Sequence, residues 1–218
     1  MGQKVNPKSF RMGSLFTWSS NWYAKKGDYS RFLLEDVKLR QWLFERLKLA
    51  GITEIKIDRS INTVKVTLSV ARPGVVIGRG GSGLEELKKE IVKRLKNLPV
   101  GKQAPKLELQ VVEVKNPDLS ARLIGLRLAD QLLRRYPHRR AIAQLLEKTM
   151  AAGAKGIKIM LAGRINGAEI SRKEKYFKGS MPLSTLRSDI DYFEQPAFTQ
   201  MGYVGIKIWI YTGERAMP

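Results

Sequence analysis

The chain has 218 residues, 43% of them hydrophobic, enough to bury one large core or two of ordinary size, which excludes disorder throughout. Forty Lys and Arg against twenty Asp and Glu set the net charge at +20 and the pI near 10.3, and such an excess points to a polyanionic partner. There is no cysteine and one histidine, His138, so disulfides and thiolate metal sites are excluded, and a zinc site or Ser-His-Asp triad would rest on a single helix-entry residue among arginines.

Residues 1 to about 17 carry Lys4, Lys8 and Arg11 with scattered glycine and proline and no helix or strand period. They read as a basic arm that orders on a partner, or as a frayed terminus. Asn6 stands where a myristoylation signal wants Ser or Thr, no hydrophobic signal core follows, and no apolar run approaches the roughly 18 residues of a membrane span, so a cytoplasmic protein is expected. Trp18, Trp22 and Tyr23 are either stacking surfaces for bases or an anchor onto the next domain. Val37, Leu43, Phe44 and Leu47 predict an amphipathic helix over 36–50, stopped by Gly51. Strands are expected over 52–59 and 64–70, the second half-buried because Val64, Val66, Leu68 and Val70 alternate with polar residues. Pro73 opens a short apolar helix over 74–77 and a glycine loop follows. Leu84, Leu87, Ile91, Leu95 and Leu98 then step by three or four residues along the best-patterned helix, and a strand is expected over 107–114.

Asn116-Pro117-Asp118 makes a boundary of rigid turn and helix cap. Helices are predicted over 119–136 and 139–152, parted at Pro137 and ended by Gly153. Ile157, Ile159 and Leu161 mark a strand, 169–177 and 186–193 are weaker strands, and Val204, Ile206, Ile208 and Ile210 alternate in the last. The expected class is α+β: a first domain over 18–115 ordered helix, strand, strand, helix, loop, helix, strand, and a second over 116–218 with two helices on a roughly four-stranded sheet. Both are basic, with 23 basic against 11 acidic residues up to Lys115 and 17 against 9 beyond it.

The loop Gly78-Arg-Gly-Gly-Ser-Gly83 has the G-x-G-x-x-G spacing of dinucleotide enzymes. Those glycines must directly follow a strand, with an acid about 20 residues on. Here a short helix intervenes, and 97–106 holds no acid. No Gly-Lys-Ser/Thr closes a Walker loop either. Taken as helix, G-x-x-G, helix, the tetrad Gly78, Arg79, Gly80, Gly81 resembles the KH domain, whose loop clamps a nucleic-acid backbone, and the preceding helix and strand resemble its type II arrangement. Without Cβ atoms, a loop backbone can lie against phosphates at a helix N-terminus, and Arg79 adds a charge at the tip. A glycine turn used only for packing is the alternative.

Several stretches together, MGQKVNPKSFRMG, RPGVVIGRGG, NPDLSARLIGLRLADQLLRR, AGAKGIKIMLAGRINGAEISRKEKY, PLSTLRSDIDY and GIKIWIYTGE, resemble the bacterial small-subunit ribosomal protein three family in order and over nearly the whole chain. The resemblance implies an N-terminal type II KH domain and a C-terminal α/β domain in the head of the small subunit. It further implies contact with 16S rRNA, a place lining the channel through which mRNA enters, and small-subunit proteins ten and fourteen as neighbours. The family's strand-unwinding cluster matches Arg139 and Arg140, while its third basic position is Ala143 here. Arg134 and Arg135 bracket the same turn and add to a phosphate-binding patch, with Arg164, in a Gly163–Gly167 turn, as a second rRNA contact. Lys4 and Arg11 join them from the arm. Asp189 and Asp191 fall on one strand face beside Arg187 and read as structural ion pairs. No nucleophile and base pair is visible and no cofactor is expected, so the chain reads as non-enzymatic. A free-standing KH regulator of single-stranded RNA is the competing function.

Overall fold

The alternation at Val64, Val66, Leu68 and Val70 organises the first sheet. In the computed structural model, which describes residues 4–14, 16–60, 63–96 and 106–215, all four side chains are buried on β3 (Thr63–Val70). β3 pairs antiparallel with β2 (Ile52–Arg59) and parallel with β4 (Lys106–Glu113). A two-residue β1 (Ser20–Asn21) lies parallel to β2 at one edge. The helices of this unit are α2 (Lys26–Arg46), α3 (Pro73–Ile77) and α4 (Ser82–Lys96). Leu39 and Leu43 of α2 share one core with Leu87 and Ile91 of α4 and with Ile55 and Ile57 of β2. The element order is that of a type II KH arrangement. Leu98 and the side chain of Leu95 lie outside the described residues.

α2 begins at Lys26, not at Asp36. Its early polar residues are held by tertiary contacts that periodicity does not register. Arg59 donates to Glu35 Oε2 at 2.7 Å and to Asp36 Oδ1 at 2.5 Å, and both carboxylates are buried. Asp36 Oδ2 accepts from Trp22 Nε1 at 2.8 Å and Ser20 Oγ at 3.0 Å, while Trp22 packs edge-on against Phe32. Trp22 is therefore an anchor. Val37 is exposed, and Leu39 takes its place in the core.

The second sheet runs β6-β5-β8-β7, antiparallel throughout, from β5 (Gly156–Gly163), β6 (Arg172–Gly179), β7 (Ser188–Thr199) and β8 (Gly202–Glu214). α5 (Ala121–Leu133) and α6 (His138–Ala151) cover one face, where Ile124, Leu128, Ile142 and Leu145 meet Ile157, Ile159, Leu161, Ile206 and Ile208. β7 runs past its expected end at Phe193, because an edge strand accommodates Pro196 without losing a ladder bond to a further neighbour. α5 is shorter than 119–136 at both ends. Asp191 Oδ2 accepts the Ala121 N–H at 2.7 Å at its start. At its end Arg135 adopts φ 57, with Arg135 N donating to Leu132 O and Tyr136 N to Gln131 O, both at 3.0 Å, a Schellman termination.

Contacts divide the chain into two compact units: one runs from Trp18 to Lys115, and the other joins the residues before Trp18 to those after Lys115. The basic arm expected over 1–17 is thus part of the second unit. Asn6 caps a short α1 (Pro7–Phe10), accepting the Lys8 N–H at 2.9 Å. Arg11 is fully buried and spends its guanidinium on carbonyls: Nε on Ser188 at 2.7 Å, Nη1 on Pro7 at 3.0 Å, Nη2 on Leu183 and Thr185 at 2.9 Å and on Pro182 at 3.3 Å. Lys8 adds an ion pair to Asp191 at 2.7 Å.

Candidate nucleic-acid interface

α3 starts on Pro73, whose missing N–H costs nothing there, and buried Val76 ties it to the core. It ends at Gly78 with φ 71, and Gly80 and Gly81 follow at φ 62 and 83, conformations that strain any residue with a Cβ. A Cβ on Gly78 would lie 3.0 Å from Gly83 N, and one on Gly83 would lie 2.9 Å from Val76 O. Packing therefore accounts for those two glycines. At Gly80 and Gly81 a Cβ would meet nothing within 4 Å, so there the backbone borders open space. Arg79, just before them, is exposed, and α4 begins after Gly81 at Ser82, whose N–H is taken by Arg79 O while the positive end of the helix dipole faces the loop. Bare backbone, a helix N-terminus and an exposed cation at one point suit a phosphate.

In the second unit the Schellman turn and Pro137 bring the end of α5 to the start of α6. Arg134, Arg135, Arg139 and Arg140 are all exposed at this corner. Arg134 pairs with Asp130 at 3.0 Å one turn back, and Arg135 reaches Gln200 Oε1. Among the described residues, Arg140 has no carboxylate within ion-pair distance. Arg164 is exposed as well, its Nε donating to Ala168 O at 2.9 Å. It shares with Arg135 a cavity of about 370 Å³ lined by Leu132, Tyr136, Ile165 and Met201.

His138 is the first residue of α6, and it is buried. Its Nδ1 lies 3.1 Å from Asn166 Oδ1 and its Nε2 2.9 Å from Glu174 Oε2, an oxygen that also accepts the Tyr176 hydroxyl at 2.6 Å. The Tyr176 hydrogen bond, then the bond and charge of His138, hold Glu174 below the usual carboxylate range, with Arg139 adding to the effect. Burial first, then Glu174, raises Tyr176. His138 is a strut that fixes the arginine-bearing end of α6 to β6 and to the 165–167 turn.

Some expected site residues do not join these clusters. Arg11 is unavailable to RNA, being buried beneath its carbonyl partners. Lys4 lies beside Lys158, Tyr192 and Trp209, away from the arginine corner. Tyr23 is 93% exposed and Trp18 66%. Asp189 and Asp191 are structural, but pair with Arg215 at 2.8 Å and Lys8, while Arg187 reaches Glu214 at 3.1 Å. Asn166, at φ 56, escaped the sequence reading. Its one signal was an Asn-Gly pair in a turn. Among the described residues, no group of three or more acidic or histidine side chains is placed to hold a metal ion, and no helix is long and apolar enough to cross a membrane.

Residues 38–119 match the family described as KH domain, and residues 128–210 match Ribosomal protein S3, C-terminal domain. Proteins named small ribosomal subunit protein uS3 are similar over 98% of this chain. That of Vesicomyosocius okutanii is 46% identical, with 90% of its own length covered. That of Desulforamulus reducens is 46% identical, with 93% covered, and that of Pelotomaculum thermopropionicum 48% identical, with 89% covered. A glycine loop with bare backbone, an arginine corner and identity over almost the full length lead to one conclusion: the chain belongs to the uS3 family, structural RNA-binding proteins of the small ribosomal subunit and not enzymes.

Proposed function

We propose that this chain holds 16S rRNA in the head of the small subunit through basic surfaces on both units, and that the Arg134, Arg135, Arg139 and Arg140 corner lines the channel through which mRNA enters. The observation that carries this reading is the exposed arginine corner, held in place from behind by buried His138 and the Schellman turn. Arginine forks on a preformed turn bind phosphates without reading sequence, which is what a passing message requires. The Gly78, Arg79, Gly80, Gly81 loop is a second backbone clamp, and Arg164 and Lys4 extend the phosphate contacts. Small-subunit proteins ten and fourteen are the expected protein neighbours, and the cytoplasm the place of work.

The test replaces both Arg139 and Arg140 with alanine. The expected outcome is normal assembly into small subunits and slower translation through mRNA hairpins than through unstructured message. Equal rates on the two messages would reject the channel role. Sedimentation of a native extract through a high-salt gradient tests the assembly itself, because salt strips nonspecific polycations and leaves specific binding. Release of the chain from the small-subunit peak would reject it.

A further inference from the structure

The second sheet has an outer face that neither α5 nor α6 covers. Alternation assigns its side chains, because Glu174 and Tyr176 turn to His138 and the helices, leaving Lys173, Lys175 and Phe177 of β6 on the other side. The register then gives successive rows across the four strands. Phe177 stands beside Lys158, Lys158 beside Trp209, and Trp209 beside Tyr192. The next row is Lys175, Met160, Lys207, Glu194, and the one after it Lys173, Ala162, Gly205, Pro196. Tyr203 and Phe198 close the far end as a tilted ring pair with centroids 4.9 Å apart.

Part of this face is occupied: Tyr192 and Trp209 are buried in a cavity wall shared with Lys4, Phe10 and Arg11. The remainder is open. Phe177 is 73% exposed, Phe198 64% and Tyr203 66%, and Lys173, Lys175 and Lys207 are exposed between them. In these three rows four lysines stand with one carboxylate, Glu194, which is held by Lys207 at 3.4 Å and by the Tyr192 hydroxyl at 2.8 Å. The lysines also repel one another: burial, then the charges of Lys4 and Lys175, push Lys158 below its ordinary range.

We propose that this open face is a binding surface for single-stranded RNA, with bases stacking on Phe177 and on the Phe198–Tyr203 pair and phosphates on Lys173, Lys175 and Lys207. Aromatic platforms interleaved with a cationic track are what sequence-tolerant single-strand binding requires. Small residues at Ala162 and Gly205 leave a shallow trough between the platforms, which stand about 20 Å apart along the strands. An acidic protein partner is the less suited occupant, because lysine is depleted from protein–protein interfaces whereas aromatics are common to both. The proposal shares with the ribosomal reading only the premise that RNA is the ligand.

The probe is a fluorescein-labelled oligouridine of about a dozen nucleotides, inside the ~4–16 range of single-strand sites on β folds, titrated into the full chain at low salt. A Gly80→Asp, Arg139→Ala, Arg140→Ala background silences the KH loop and weakens the arginine corner. In that background Phe177→Ala with Tyr203→Ala is expected to weaken binding at least tenfold, since each stacked base lost costs roughly 5- to 100-fold, and Phe177→Tyr with Tyr203→Phe should keep it. Both aromatics are exposed, and circular dichroism checks that the fold is unchanged. Unchanged affinity in the alanine variant would overturn the proposal and leave the face to a protein. Crosslinks from 4-thiouridine RNA that map to β6 and β8 peptides support it, and crosslinks confined to other peptides overturn it. High-salt sedimentation of the unaltered chain, run in parallel, reports on the ribosomal reading alone.

Discussion

Arg135 holds a backbone conformation that glycine adopts freely, and a side chain there costs about 1–2 kcal/mol. Retaining arginine at a Schellman position beside Arg134 and above the Arg164 cavity trades stability for a cation fixed in direction. Arg135→Gly is therefore expected to raise the stability of the second unit by about 1 kcal/mol while weakening RNA binding. Denaturant midpoints and RNA titrations should shift in opposite senses, and a variant that loses stability would show that the side chain is held for packing. Glu174 is a second residue whose chemistry is measurable. Its folded pKa lies below the ordinary 4.5, so it adds stability above that value and loses it as pH falls through the folded one. Glu174→Gln should remove this loss, flattening stability against pH below about 4.5. An unchanged slope would show that the His138, Tyr176 and Glu174 cluster does not couple to folding.

On α6, the side chains facing solvent are Arg139, Arg140, Ala143, Gln144, Glu147, Lys148 and Ala151. Ala143 is one turn from both arginines, whereas Lys148 lies two turns from Arg140, about 12 Å along the axis. Lys148 therefore extends the patch and does not fill its gap. Ala143→Lys should tighten RNA binding and steepen its dependence on log salt by about 0.7, the increment for one further phosphate on a single strand. A slope that stays constant would mean that RNA does not reach this turn. What was legible along the chain divides at the same scale. β3 and α4 are written in local alternation and local periodicity. The first half of α2 and the far half of β7 are not, since Arg59 comes from another strand to pair with Glu35 and Asp36, and Pro196 is permitted only by an edge position that pairing decides. The glycine loop was legible because chain geometry alone demands Gly80 and Gly81. The lysine and aromatic rows across the second sheet appear only once register brings four strands together.

At the scale of the molecule, the second unit is discontinuous: its N-terminal piece and its main body flank the whole of the first unit in sequence. Arg11 fastens the two pieces, with hydrogen bonds to five carbonyls, four of them on the main body, so Arg11→Ala is expected to cost this unit on the order of 3–5 kcal/mol by breaking a buried network. Lysine should not rescue it, because an ammonium lacks the planar fork that reaches several acceptors. Urea unfolding of the full chain, followed at Trp209 for the second unit, checks both substitutions. A loss below about 1 kcal/mol would show that water satisfies the carbonyls as well as Arg11 does.

The same fastening has a temporal side. Arg11 and Ser188 are 177 residues apart, and at a synthesis rate of about 5–20 residues per second the first is made roughly 10–35 s before the second. All the strands of the first sheet have been made by Glu113, so that unit can mature on the nascent chain while Arg11 still awaits its carbonyls and Lys8 its carboxylate. For that interval the segment is an uncovered cationic tail beside the RNA of the ribosome that is making it, and it becomes a structural fastening only once β7 has emerged.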